Sequence, residues 1–177
     1  MAIQTLYNII DMIFVGRLGG DALAALTFNM PISFFAMGVA FGLGAGATSV
    51  IARYIGADDK TSADNAAEHA LLVGLGTGAL FVTGAVVFKV QILDLLGADG
   101  EVLSLGTEYF ETVAFGFLFQ ILNVSFSAVM GGEGDTRTPL ALQGSGTLVN
   151  MLLDPIFIFS LGMGVRGAAL ATVISQA

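Results

Sequence analysis

Two aspartates in this chain stand where an acid is costly. "NMLLDPIFIF" sets Asp154 and Pro155 side by side inside an apolar run, and "YNIIDMIFVG" sets Asp11 inside another. An aspartate at the centre of a membrane helix costs about 2.5–3.5 kcal/mol on an insertion scale, and acids kept there usually face a bundle interior or a watery cavity on an ion path. Their neighbours carry oxygen as well. Gln4, Tyr7, Asn8 and Asp11 follow an i, i+3, i+4, i+7 pattern and share one helix face, and Asn150 and Asp154 are spaced i, i+4. Hydroxyl, amide and carboxylate oxygens suit a proton or a small hard cation. The competing readings are an acid that snorkels to the interface, one pinned by an arginine, or ordinary interhelical hydrogen bonding, worth only about 0.6 kcal/mol per contact.

Pro155 belongs to the same feature. It has no N–H, so the Met151 carbonyl loses its usual helical donor, and the helix gains a place to bend. Irregular backbone at membrane depth is tolerated where it is buried in protein or lines a cavity. Pro31 lies near the beginning of its run, where a proline in the first turns of a helix is the ordinary explanation.

The elements that must hold these groups are membrane helices. Of 177 residues, 55% are hydrophobic and 11% charged, against about a quarter charged in soluble domains. The apolar runs fall at about 1–16, 22–52, 66–96, 102–130, 139–161 and 167–177, separated by "RLGGD", "RYIGADDKTSADN", "LGADGE", "GGEGDTRT" and "GMGVRG". A span needs roughly 20 apolar residues. The expected fold is therefore all-α, a polytopic transmembrane bundle of about five to six helices forming a single transmembrane domain. The first and last runs read as cut short, as in a fragment of a longer protein. With helices alternating in direction, Arg53, Lys60 and Arg137 fall on one side and Arg17, Lys89 and Arg166 on the other, so basic residues do not orient the chain.

Composition also excludes. The absence of cysteine removes disulfides, thiolate metal sites and thiol nucleophiles, and one histidine, His69, cannot build a histidine-rich metal centre. A net charge of −8 speaks against nucleic acid. Gly38, Gly42 and Gly46, and Gly74 and Gly78, recur every fourth residue and are read as close-packing faces between helices. "GEGD", Gly132 to Asp135, matches a signature of intramembrane aspartyl proteases, but Asp135 sits in a polar break and no Tyr-Asp partner motif is present, since Ile10 precedes Asp11.

The combination of "NIIDMIFVGRLGGDALAAL", "GATSVIARYIGADDK", "GEGDTRTPL" and "NMLLDPIFIFSLGMGVRGAALATVISQA", in this order, resembles the multidrug and toxic compound extrusion (MATE) family. That resemblance implies twelve helices in two six-helix lobes, of which this chain covers the first, truncated at both ends. It implies a multi-pass protein of the cell membrane. Its activity would be efflux of organic, often cationic, compounds, driven by a proton or sodium gradient, with no cofactor beyond that ion. Asp11, Asn150 and Asp154 match the family's cation-coupling positions. Tyr7, Tyr109 and Thr172 are carried over with them, and sodium would sit at Asp11, Asn150, Asp154 and Thr172. Gln4 and Asn8 are expected on the substrate cavity. The implied partners are the bilayer, a small organic substrate and a second six-helix lobe. The alternatives are a non-transporting half, a flippase for lipid-linked precursors from the same superfamily and, more remotely, the protease. In either ionic form of the mechanism, a cation neutralises the acids and helix bending at Pro155 couples that to cargo by differential affinity.

Overall fold

A computed structural model describes residues 12–176. Asp11, Tyr7, Gln4 and Asn8 lie outside the described residues. A helical stretch over 12–16 (α1) is followed by α2 (Gly20–Gly56), α3 (Lys60–Leu95), α4 (Gly100–Gly132) and α5 (Arg137–Pro155). A π-helical segment, Ile156–Ser160, then leads into α6 (Gly164–Gln176). No strand occurs among the described residues. The fold is an all-α membrane bundle.

The helices outrun the apolar runs that mark them. α2 begins before Ala22 and continues to Gly56, and α3 starts at Lys60 rather than near Ala66. The polar segments between runs contribute helical turns of their own. Asp59 caps α3 by accepting from the Ser62 N–H at 3.0 Å, which satisfies one of the orphan donors at a helix start. At about 1.5 Å per residue, helices this long exceed a hydrocarbon core of about 30 Å, so their ends extend into the headgroup and water layers. α2, α3 and α4 are each long and apolar enough to cross a membrane. α5 is not, because Arg137, Gln143, Ser145, Thr147, Asn150 and Asp154 interrupt it.

α4 is the hub, packed against α2, α3 and α6, while α5 packs mainly on α6. Phe110 and Phe117 of α4 are almost wholly buried. They meet edge to face at 6.4 Å between ring centres, and Phe81 of α3 meets Phe117 at 6.3 Å. Outside, Phe35, Phe41, Leu72, Leu80 and Leu95 are exposed, as expected of a surface whose solvent is lipid.

Two sequence readings change here. Pro31 lies well inside α2, not in its first turns. It leaves the Thr27 carbonyl without its helical donor. The Gly38, Gly42 and Gly46 stripe has no close neighbour among the described residues: a methyl group built at any of the three meets no atom within 4 Å. Helical spacing alone does not say whether a small-residue face meets protein or lipid. The Gly74 and Gly78 pair does meet protein. A Cβ on Gly78 would lie 3.2 Å from the Leu118 Cα, and one on Gly74 would collide with the Ser125 Oγ.

The two glycine faces should therefore respond oppositely to a methyl group. Gly78→Ala should destabilise the chain in detergent by about 1–3 kcal/mol through overpacking of α3 on α4. Gly42→Ala should be neutral or stabilising by up to about 1 kcal/mol, since alanine is the better helix former. Thermal unfolding followed by circular dichroism measures both, and equal shifts would contradict the packing described.

Candidate functional site

α5 places Asn150 and Asp154 one turn apart, and both are 0% exposed. The Asn150 Nδ2 donates to the Asp154 Oδ1 at 3.3 Å. The Asn150 Oδ1 is buried and has no hydrogen-bond donor among the described residues. A buried amide oxygen without a donor costs about 1–3 kcal/mol.

Asp154 does not reach the interface, which removes snorkelling. The basic side chains are also accounted for. Arg17, Arg53, Lys60, Arg137 and Arg166 are exposed, and Lys89 pairs with Glu111 between α3 and α4.

Pro155 ends the α-helical ladder directly after the acid. The Ile156 N–H bonds back to the Leu153 carbonyl, and the chain widens into π geometry, with the Leu161 N–H on the Ile156 carbonyl at 2.9 Å. The bend anticipated at Pro155 thus takes the form of a wider helical turn, and π turns inside helices are frequent at functional sites. α6 seals this segment. A Cβ on Gly167 would stand 2.7 Å from the Phe157 carbonyl carbon and oxygen, so only glycine lets the two backbones approach this closely.

Tyr109 on α4 and Thr172 on α6, each 6% exposed, meet on the wall of a cleft of about 110 Å³. The Thr172 Oγ1 donates to the Ala168 carbonyl at 3.0 Å. Met12, Asn29, Gln120 and Gln176 line the same cleft. The structure therefore groups the site residues in two pairs, Asn150 with Asp154 inside α5 and Tyr109 with Thr172 on the cleft. The packing of α5 on α6 joins them.

Some polar positions were not singled out from sequence. Gln143 and Thr147 continue the Asn150 and Asp154 face by helical spacing, a signal the periodicity carried. Asn29 is a lone amide in an apolar run, two residues before a proline.

Asp135 is exposed and serves as a cap, its Oδ1 accepting from the Arg137 N–H at 3.0 Å and the Thr138 N–H at 3.1 Å. Hydrogen bonds from Thr138 hold its carboxyl below the ordinary value of 3.8. That is a surface role at the start of α5, so "GEGD" has no buried acid to offer a protease. His69 is likewise exposed, with Nδ1 at 2.8 Å from the Asn65 carbonyl. No cluster of three His, Cys, Asp or Glu occurs among the described residues.

Against known proteins, residues 1–156 match the family described as MatE. An FAD transporter from Shewanella oneidensis is 30% identical over 96% of this chain and 38% of its own length. The multidrug export protein MepA from Staphylococcus aureus is 29% identical over 98% of this chain and 39% of its own. The solved structure of a MOP superfamily transporter from Pyrococcus furiosus is 39% identical over 99% of this chain and 39% of that one, with a TM-score of 0.94. The chain thus spans about two-fifths of the length of the relatives it matches.

The Asp135 cap carries a pH signature. Its folded carboxyl titrates below 3.8, so its support of α5 is complete above that value and lost as pH falls through the lowered one. Amide exchange protection at Arg137 and Thr138 should hold down to pH 3.8 and then fall. In Asp135→Ala it should be low at every pH, and protection independent of both would contradict the cap.

Proposed function

Because the chain belongs to the MatE family, we propose that it forms the ion-coupling lobe of an efflux transporter, exchanging an inward-moving proton or sodium ion for an outgoing organic molecule. The family is one of multi-pass membrane transporters, not enzymes. Since the relatives are much longer than this chain, transport is assigned to it together with a second lobe. The observation that carries the proposal is the buried pair of Asn150 and Asp154, placed directly before a break in helix geometry.

The steps follow from that placement. A carboxylate taken out of water is costly unless a cation or strong donors accompany it. A proton on Asp154, or sodium held by Asp154 with Asp11, the Asn150 Oδ1 and the Thr172 hydroxyl, meets that demand. When the cation leaves, the acid must be stabilised by other means. The π segment beside it is the part of α5 able to change its hydrogen bonding, and its close contact with α6 through Gly167 passes the change to the helix that bears Thr172 and lines the cleft. If cargo fits one of the two arrangements better, ion and cargo are coupled through that difference alone.

The cargo is a small organic molecule. The relatives' names range from FAD to multidrug export, so family membership does not choose among organic molecules. No Lys or Arg occurs among the described lining residues, which speaks against a cargo recognised chiefly by its phosphates, such as a lipid-linked precursor.

Ion-driven efflux from vesicles containing the complete transporter tests the shared site. Asp11→Asn and Asp154→Asn should each remove most of the coupling while the protein still reaches the membrane, and the double variant should be little worse than either. Independent sites would instead add to within about 0.5 kcal/mol. Additive defects, or full coupling in either single variant, would contradict the proposal.

A further inference from the structure

Several polar groups on the cleft wall are already committed to the protein itself. The Ser33 hydroxyl donates to the Asn29 carbonyl at 3.1 Å, and the Thr172 hydroxyl donates to the Ala168 carbonyl at 3.0 Å. The Asn29 amide is buried, and its Nδ2 donates to the Ala25 and Gly106 carbonyls. Gln120 of α4 and Gln176 of α6 differ. Both line the cleft, both are half-buried, and neither side-chain amide makes a hydrogen bond among the described residues. The packing of α4 on α6 sets them side by side. Gly116 lies one turn before Gln120 on α4. A Cβ on Gly116 would stand 3.0 Å from the Gln176 Oε1, so the missing side chain is what seats that amide against α4, one turn from Gln120. The Asn123 Nδ2 donates to the Gln176 backbone carbonyl and ties this end of α6 to the same helix.

We infer that Gln120 and Gln176 form a paired amide subsite of the cleft, which recognises a flat heterocycle by an edge carrying adjacent donor and acceptor atoms, as in an imide or a lactam. The inference rests on reading the cleft as the cargo site, and deepens it. Each amide offers one carbonyl acceptor and two N–H donors, so an acceptor–donor–acceptor edge is answered by one carbonyl and the N–H groups of the pair. The remaining wall suits the body of such a molecule. Met12, Met30 and Met37 are soft and adaptable beside Phe34 and Phe117, and thioethers pack favourably on aromatic rings. These walls accept many ring shapes, while the amides discriminate on chemistry. A site that hydrogen-bonds an N–H of its ligand rejects the analogue lacking it more strongly than it rejects a change in size. The favoured cargo is thus a flat ring with a free imide or lactam N–H, over the same ring alkylated at that nitrogen.

The test compares two probes on one skeleton, a fluorescent aminonaphthalimide and the same dye methylated on its imide nitrogen. Binding to the complete transporter in detergent is followed by fluorescence anisotropy, with no ion gradient. The free imide should bind about 5-fold more tightly than the methylated form. Methionine matches glutamine in length and lacks the amide, so Gln120→Met, Gln176→Met and the double variant remove the chemistry and keep the bulk. Either amide can supply the acceptor, so each single variant should lower the preference, and the double variant should bring it to parity. Thermal unfolding midpoints close to that of the unaltered protein show that the fold is kept.

The change in preference is the readout, so the bulk of the added methyl group cancels between unaltered and variant proteins. A preference undiminished in the double variant, equal weakening of both probes, or no binding of the free imide to the unaltered protein would each overturn the inference. Any of these contradicts the amide pair alone and leaves ion coupling at Asp154 standing. Full coupling in the acid variants, with the imide preference present and lost in the double methionine variant, would have the reverse meaning.

Discussion

A carboxyl that is wholly buried in a membrane bundle needs a compensating charge or a set of donors, and much of this lobe is arranged around that need at Asp154. The acid sits on α5, the helix with too many polar groups to cross a bilayer on its own composition. Its α-helical ladder stops at the next residue, where Pro155 removes a donor and the chain goes over to π geometry. A regular helix would hold the Asn150 and Asp154 oxygens in one arrangement. A helix that changes type beside them is less regular, and the coupling proposed above rests on a cation favouring one of two arrangements there.

Around this irregular part stands a regular frame. α4 packs against α2, α3 and α6, with Phe110 and Phe117 at its centre, and Gly74 and Gly78 let α3 come close. Van der Waals packing of this kind is the main source of helix association where lipid tails are as apolar as leucine. The frame also supplies the cleft wall, with Tyr109 from α4 and Asn29 from α2. The Gly167 contact with Phe157 is the junction between the two, because α6 carries both Gly167 and Thr172.

Several of these features were legible in the amino-acid order, and the reasons differ. Asn150 and Asp154 are one turn apart in an apolar run, and no other arrangement of those residue types is as costly, so the pair announced itself. Five helices and the start of a sixth followed from apolar runs, although their ends did not: capping at Asp59 and helical turns in polar segments are invisible to hydropathy. Tyr109 and Thr172 came from the family resemblance alone. Their meeting on one cleft depends on how α4 and α6 pack, which local sequence does not encode. At Gly38, Gly42 and Gly46 the structure shows no helix contact among the described residues, because an open stripe and a packed one share the same spacing. A proline is visible at position 155, but the π turn that follows it needs the packing of α6 to be selected.

The claim on which all of this turns is that the Asp154 carboxyl exchanges a cation inside the lobe. Infrared difference spectroscopy on the purified protein reads that group directly, comparing spectra across a pH titration with and without sodium. The account predicts a carboxylic-acid band that disappears as the proton leaves or sodium replaces it, and that is missing from Asp154→Asn while the remaining bands persist. A spectrum in which no carboxyl signal assignable to Asp154 responds to either pH or sodium would contradict it.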